Sequence, residues 1–400
     1  NKKGIIVRIN MKNKHTLKVA IISSLYGGLG HYCAHLADRL SNHCELKFIT
    51  YPQIDLSGTI VNQIMDSLVK ERIKRPRFDL NEKDPFTIVD VNAYLKKRRF
   101  KVINLHISTT VREKIVYFTS FLLYAKKLYR PKIVFTLHDV LPFEPNKKLM
   151  QLLSMFYSLA DFFIVGNEDE SAKLQKYFMI PSTKIKIVYH GIYNLFDKKR
   201  FNQQTARHYL QLPQDKKIVL FFGCLKESKG FDDLILAINK LKQFEPQTIV
   251  FVASTLKYAP AGLANKYLRQ INKFQLKDKF NLNLNFIESR DVEPIFKAAD
   301  VVVLPYTRVS QSGVLMMAMG FKMPVVITDV FYEKKWVSGR AGLIAHVGNS
   351  SDLAEKLKHL LRNKQLAINY GNAGYDYSSR VFNWQKIAEQ YYQVYKRLVQ

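Results

Sequence analysis

AADVVVLPYTRVSQSGVLMMAMGFKMPVVIT, residues 298–328, is the stretch that decides the fold. Val301–Leu304 is an unbroken apolar, β-branched run of the kind found in a parallel strand buried on both faces. Pro305 ends it. Ser310, Gln311, Ser312 and Gly313 then supply a capping side chain and a residue with no side chain where a helix begins. The free N–H groups and the dipole at such a start favour a phosphate. Pro324 stops the helical stretch, and a second apolar strand follows. Capped helices after strands occur throughout α/β proteins, so this stretch alone leaves a ligand role open.

The same alternation recurs on both sides of it. Residues 17–23 read as a strand, and Tyr26-Gly27-Gly28-Leu29-Gly30 turns it into a helix through about Leu40, a phosphate-binding style of opening without the GxGxxG spacing. Further strands are expected at 45–51, 102–106, 132–136, 162–165, 185–189, 218–223, 248–254, 285–287 and 342–345. Most are separated by helical stretches, among them 232–241 and 352–361. This order predicts an α/β protein with parallel sheets covered by helices on both faces.

Four hundred residues suit two domains rather than one core. The polar, basic segment with Lys198-Lys199-Arg200 and Gln203-Gln204 interrupts the pattern and reads as a linker, 196–214, between a first domain 1–195 and a second domain 215–375. Met11 is a candidate natural start. The 47% hydrophobic and 24% charged composition is globular, which excludes a disordered or fibrous chain. Cys33, Cys44 and Cys224 are odd in number and lack zinc-like spacing, so reduced thiols are expected and no metal site.

The net charge of +29 divides as +17 for residues 1–200 and +12 for 201–400. Its clusters include Arg72, Lys74, Arg75 and Arg77, then Lys96, Lys97, Arg98, Arg99 and Lys101, then Lys126, Lys127, Arg130 and Lys132. Such patches suit nucleic acid, anionic headgroups or phosphorylated substrates, and equally the solvated surface of a lysine-rich protein. Residues 117–129, YFTSFLLYAKKLY, join aromatics and leucines to a basic end, as an interfacial helix or an ordinary core helix does. No apolar run approaches the ~20 residues that span a bilayer. A cytoplasmic protein, or one peripheral on the cytoplasmic face of a membrane, is expected. No RRM, KH, zinc-finger or helix-turn-helix signature supports a nucleic-acid partner.

At Phe221-Phe222-Gly223-Cys224-Leu225-Lys226-Glu227-Ser228-Lys229-Gly230 a strand ends in a glycine, and two lysines three residues apart follow, placed to clamp a diphosphate. With the SQSG helix start, Gly27-Gly28 and His190-Gly191, this resembles the GT-B glycosyltransferases, most closely the retaining family 4. The resemblance extends over nearly the whole chain from Leu17 onward. It implies two Rossmann-like domains facing across a cleft, with a nucleotide-sugar on the second, the acceptor on the first, and a last helix, 376–400, crossing back.

It further implies donor contacts from Gly27, Gly28, His190, Gly223, Lys226, Lys229, Gln311, Ser312 and Gly313, with Glu288 where the nucleoside base is met. Thr136-Leu137-His138-Asp139 is similar to the family's strand-end motif whose histidine touches the transferred sugar. His138 is thus the catalytic candidate, and Asp139 the candidate base if the reaction inverts. Two glutamates common in the family, eight positions apart, are here Val309 and Met317, and a common arginine is Cys224. A divergent, glutamate-free, metal-independent hexosyltransferase is expected, with a UDP- or GDP-linked sugar as donor substrate, no cofactor, and a sugar or lipid-linked acceptor of surface-polysaccharide assembly. An inert nucleotide-sugar-binding scaffold, an epimerase on the same fold and a nucleic-acid-binding protein are the competing readings.

Overall fold

Six strands form the first sheet in the order β2 (Glu45–Thr50), β1 (Lys18–Ser23), β3 (Val102–Ser108), β4 (Lys132–Asp139), β5 (Phe162–Val165) and β6 (Ile185–Ile187), every neighbouring pair parallel. The second sheet runs β12 (Gly342–Ala345), β11 (Val325–Thr328), β10 (Val301–Leu304), β7 (Lys217–Cys224), β8 (Thr248–Thr255) and β9 (Phe280–Asn283), again all parallel. The structure is a computed structural model that describes residues 17–24, 27–50, 80–81, 84–108, 112–142, 145–193, 196–197, 199–256 and 259–400. Met11, Tyr26, Lys198 and the cluster Arg72, Lys74, Arg75 and Arg77 lie outside them.

Apolar strand runs are buried on both faces because helices cover both. One buried cluster, with Phe118, Phe121, Phe135 and Phe156, lies on one face of the first sheet. Another, with Phe231, Leu234, Ile235 and Val252, lies on one face of the second. A third is continuous from Tyr32 and Leu36 of the first domain to Leu304 and Met316 of the second, so the two domains share packing. These are two Rossmann-like domains in the GT-B arrangement. In the first sheet the chain order reverses between β1 and β3, and in the second between β7 and β10. Loops leaving such a point diverge and open a crevice at the carboxyl ends of the strands.

Several elements differ from the sequence reading. The strand expected at 285–287 is β9, Phe280–Asn283; Asn283 Oδ1 then accepts the Asn285 N–H at 3.2 Å and turns the chain out of the sheet. β4 runs on through Asp139, which pairs with Ser108 after a one-residue register shift that passes over His138. The segment 196–214 contains a helix, Gln203–Tyr209, with a capping box between Asn202 and Thr205. Its buried Arg207 donates to the carbonyls of Ala298, Gln214 and Lys216 and to Asp300, which fastens it to the second domain. The helix Arg112–Leu128 turns Ile115, Phe118, Phe121, Leu122 and Ala125 into the first core, so most of the apolar content of 117–129 is core.

The chain crosses back at its end. Helix Lys364–Val381 lies on the second domain; Asn383 caps a new helix, Trp384–Val399, that packs on helix Gly27–Leu40 of the first. The break therefore falls at 382–383, inside the stretch 376–400.

Candidate functional site

β7 ends in Gly223-Cys224, and the φ of +120° at Gly223 is backbone that a side chain would strain. Lys226 then caps a short 3-10 turn, Glu227–Lys229, and Gly230 follows at φ +64°. A Cβ on Gly230 would lie 1.7 Å from the Pro305 carbonyl oxygen. The loops after β7 and β10 therefore meet backbone to backbone at the point where strand order reverses, and Thr307 N–H bonds the Ser228 carbonyl at 2.9 Å. Lys229 Nζ sits 3.6 Å from the centre of the Tyr306 ring. Both lysines line a cavity of about 360 Å³.

The helix Gly313–Gly320 points its start into the same cavity. Ser312 is its cap, accepting the Leu315 N–H at 3.2 Å, and Gly313 and Val314 line the cavity. The first-turn N–H groups have no helical acceptor, so lysine ammoniums and backbone donors converge on one place. Met317, one turn on, adds an apolar wall with Phe222. Val309 instead packs against the shared core.

Gly28, His31, Tyr193 and Phe196 close the cavity from the first domain. Tyr193 is the hinge of this contact. Its hydroxyl donates to the Gly28 carbonyl at 3.1 Å, its N–H to the Met316 carbonyl at 3.3 Å, and its ring would touch a Cβ on Gly313 at 3.1 Å. His190 Nδ1 lies 2.8 Å from the Gly191 carbonyl, which can only accept; Nδ1 thus carries the proton, and Nε2 faces the Tyr193 hydroxyl at 3.3 Å. His35 stacks on both Tyr193 and Trp384, at 5.0 and 5.1 Å, and those two rings stand 6.3 Å from each other. Burial pushes His31 and His190 down to about 4 and His35 to about 3, so this aromatic wall is neutral.

Of the residues expected from sequence, Gly28, Gly223, Lys226, Lys229 and Gly313 line one cavity, and His190 stands just behind Tyr193. Gly27 opens the helix Gly27–Leu40 beside Gly28. Ser312 is a cap. Gln311 lies elsewhere: its amide occupies the space where a Cβ on Gly166 would stand, and beside it Asn167 Nδ2 donates to the Ser310 carbonyl at 2.7 Å. Gln311 is thus an interdomain contact. Glu288 precedes helix Ser289–Ala298 while its neighbours Ile287 and Ser289 face the cavity.

His138 and Asp139 are also off the cavity wall, because β4 continues through them. His138 Nε2 lies 3.4 Å from His106 Nδ1, with the Tyr32 ring edge-on at 4.9 Å, and burial first, then the nearby His190, lowers its imidazole to about 3. Asp139 Oδ2 accepts the Ser108 hydroxyl at 2.5 Å. Among the described residues no group of three or more His, Cys, Asp or Glu is placed to hold a metal ion.

Sequence reasoning missed His31, Tyr193, Phe196, Phe222 and Tyr306. His31 lies three residues beyond Gly28 and Phe222 beside Gly223, so helix period and strand end were usable signals. Tyr193 carried none, since its partners are 165 and 123 residues away in the chain.

Comparison with known proteins adds an independent line. The second domain matches the family model Glycosyl transferases group 1 over residues 216–363, and the first matches Glycosyltransferase Family 4 over 26–193. A D-inositol 3-phosphate glycosyltransferase of Corynebacterium aurimucosum is 27% identical over 242 residues, 59% of this chain and 56% of that one. A processive diacylglycerol alpha-glucosyltransferase of Acholeplasma laidlawii is 21% identical over 209 residues, 52% of this chain and 60% of that one. The chain spans little more than half the length of the curated relatives it matches. In fold, it is similar to Anabaena HepE in complex with UDP-glucose, with a TM-score of 0.76 at 15% identity, covering 95% of this chain and 100% of that one. It is also similar to sucrose-phosphate synthase from Thermosynechococcus elongatus, with a TM-score of 0.73 at 18% identity, covering 96% and 99%. The chain belongs to the group 1 and family 4 glycosyltransferases.

Proposed function

We propose that this member of the family binds a nucleoside diphosphate sugar in the cavity between its two sheets and transfers the hexosyl unit to an acceptor hydroxyl, in the assembly of a cell-surface polysaccharide or glycolipid. The observation that carries the reading is the convergence of Lys226, Lys229 and the helix start at Gly313 on one cavity, faced by Gly28 and His31. Negative charge grows on the departing diphosphate in the transition state. Fixed ammonium and N–H donors stabilise that charge directly, which is the role a metal plays in other sugar transferases. Neutral, apolar walls at Phe222, Val314 and Met317 keep water from competing with the acceptor. The family resemblance implies retention at the anomeric carbon, and Asp139 stands off the cavity wall, which argues against it as an inverting base.

The UDP-glucose bound by the Anabaena neighbour supports a UDP-linked donor, with GDP the alternative base. Relatives named for inositol 3-phosphate and diacylglycerol support a polar or lipid-linked acceptor. The basic first domain favours a membrane-proximal acceptor and a peripheral position on the cytoplasmic face.

A nucleotide-sugar-binding scaffold is the second reading, favoured by Met317 and Cys224 on a wall that carries no carboxylate among the described residues. Thermal stabilisation by UDP, GDP, ADP and their hexose derivatives is the first test, since ligand at 100 times its Kd adds about 2.7 kcal/mol. Selective stabilisation by one base supports the donor site; no shift with any of them in a folded protein overturns it. Sugar transfer to a lipid or glycan hydroxyl then separates enzyme from scaffold, and conversion of the donor without acceptor would mark an epimerase.

A further inference from the structure

His31 lines the cavity from the first domain, across from the Lys226 and Lys229 of the second. It lies three residues beyond Gly28 on the helix Gly27–Leu40, so the two face the cavity from one side of that helix. A Cβ built on Gly28 would meet nothing within 4 Å, so the space in front of this helix start is open. Aromatic edges set the His31 ring, Phe196 at 5.2 Å and Tyr193 at 6.3 Å.

The neighbouring histidines are engaged inside the protein. His106 meets Asn104 and His138, His190 bonds the Gly191 carbonyl, and His35 is buried in its stack. His31 is half-buried and has no hydrogen bond to any described residue. Facing it across the cavity are Lys226, Lys229 and Cys224, with the Tyr306 ring against Lys229; Tyr193 stands beside it and His35 one turn along its own helix. No carboxylate joins them among the described residues lining the cavity, and burial keeps the imidazole neutral, at about 4. Such a ring offers one N–H donor. The cavity holds only about 360 Å³, so a diphosphate gripped by the two lysines and the helix start at Gly313 turns its remaining oxygens toward Gly28 and His31.

We infer that His31 is a catalytic residue that gives its N–H to the donor diphosphate from the first domain, while Lys226 and Lys229 hold it from the second. The inference rests on the donor site proposed above. Charge that grows on the leaving group as the sugar–oxygen bond breaks is then met from both sides. A neutral ring beside two ammoniums adds a donor without adding repulsion, and an anion within hydrogen-bond reach draws it toward its charged form.

Calorimetric titration of the full chain with UDP and with UDP-glucose tests it. His31→Leu keeps an apolar side chain against Phe196 and Tyr193 and deletes the nitrogens; at pH 7 it is expected to lose at least ~10-fold in affinity for both nucleotides. His31→Gln restores an N–H and is expected to recover most of that loss. UDP-glucose has no terminal phosphate to titrate, so the pH dependence of its binding reports the protein. Wild type is expected to bind it roughly 10-fold more tightly at pH 5 than at pH 7, because the bound anion holds on His31 a proton that the free protein lacks. Both variants are expected to lose that difference. Wild-type affinity in His31→Leu, equal losses in His31→Leu and His31→Gln, an unchanged pH dependence in the variants, or a loss confined to UDP-glucose, which would put the ring on the sugar, overturns the inference and leaves the donor site standing. No binding by wild type overturns both. Melting temperatures without ligand show that each protein is folded.

Discussion

Lys229 Nζ rests 3.6 Å from the centre of the Tyr306 ring, and the two residues belong to loops that follow strands β7 and β10 on either side of the point where the second sheet reverses its order. The ring face holds an ammonium at the cavity without neutralising it, as a carboxylate would. It also replaces water around the charge, which strengthens the field the ammonium applies to an anion.

Lys229→Ala is accordingly expected to abolish thermal stabilisation by the nucleotide and to lower turnover by roughly 10²- to 10³-fold. Tyr306→Leu, which removes the ring, is expected to weaken nucleotide binding by a smaller factor. Tyr306→Phe keeps the ring and deletes a buried hydroxyl that has no hydrogen-bond partner among the described residues, so binding is retained and the melting temperature holds or rises. Calorimetric titration with nucleotide on the three variants checks the order; equal losses in Tyr306→Phe and Tyr306→Leu would show that the hydroxyl, not the ring, matters.

Gly230→Ala places a methyl group 1.7 Å from the Pro305 carbonyl oxygen on backbone at φ +64°. Both loops must shift, and the expected cost is ~2 kcal/mol or more. Urea unfolding measures it. A change within ~0.5 kcal/mol, the range of ordinary surface substitutions, would mean the two loops are not locked together.

His138 is held in an imidazole pair with His106 rather than on the cavity wall. His138→Ala is expected to leave nucleotide affinity unchanged while lowering the transfer rate, because it loosens the first-domain face proposed to meet the acceptor. Donor titration and initial rates separate the two effects; an unchanged rate removes His138 from the reaction.

Stability should fall as pH drops below about 6.5, with one buried carboxyl opposing the trend. Burial holds His35 at about 3, His190 at about 4 and His106 well below its ordinary value. Their unfolded value is near 6.5, so below it the unfolded chain binds more protons than the folded one. Stability from these groups is complete above about pH 6.5 and is lost as pH falls toward about 4, each histidine withdrawing up to about tenfold in the folding constant per pH unit. Glu333 acts in the opposite sense. Burial raises its carboxyl from the ordinary 4.5 to about 7, so its contribution falls as pH rises between those values and is flat above them. Melting temperatures should rise from pH 5 to about 6.5 and level off by about pH 7 to 8, and Glu333→Gln, which removes that opposing group, should steepen the rise. A flat profile from pH 7 to 5 would contradict the buried, neutral histidines.

Local pattern carried much of the architecture. The run Val301–Leu304 is a buried strand because four consecutive apolar residues have no other low-energy place in a sheet covered on both faces. Asn167 and Ser312 cap helices because their side chains accept an N–H three residues ahead, a signal contained within four residues. The lysines at 226 and 229 were legible for the same reason: strand, glycine and cation follow one another directly. The capping box of Asn202 and Thr205 was legible too, and was obscured by the polar composition around it.

What the sequence by itself determined is therefore the alternation of strands and helices, their caps, and the cationic loop after β7, all set by interactions between residues a few positions apart. Only the tertiary structure decided which of these share a cavity. Tyr193 reaches Gly28 and Met316, Gln311 leaves the cavity for Gly166, and β4 pairs past His138, because packing and strand register act between residues more than a hundred positions apart or on different strands. Those contacts depend on shape and burial summed over two whole domains, a quantity no short window of sequence contains.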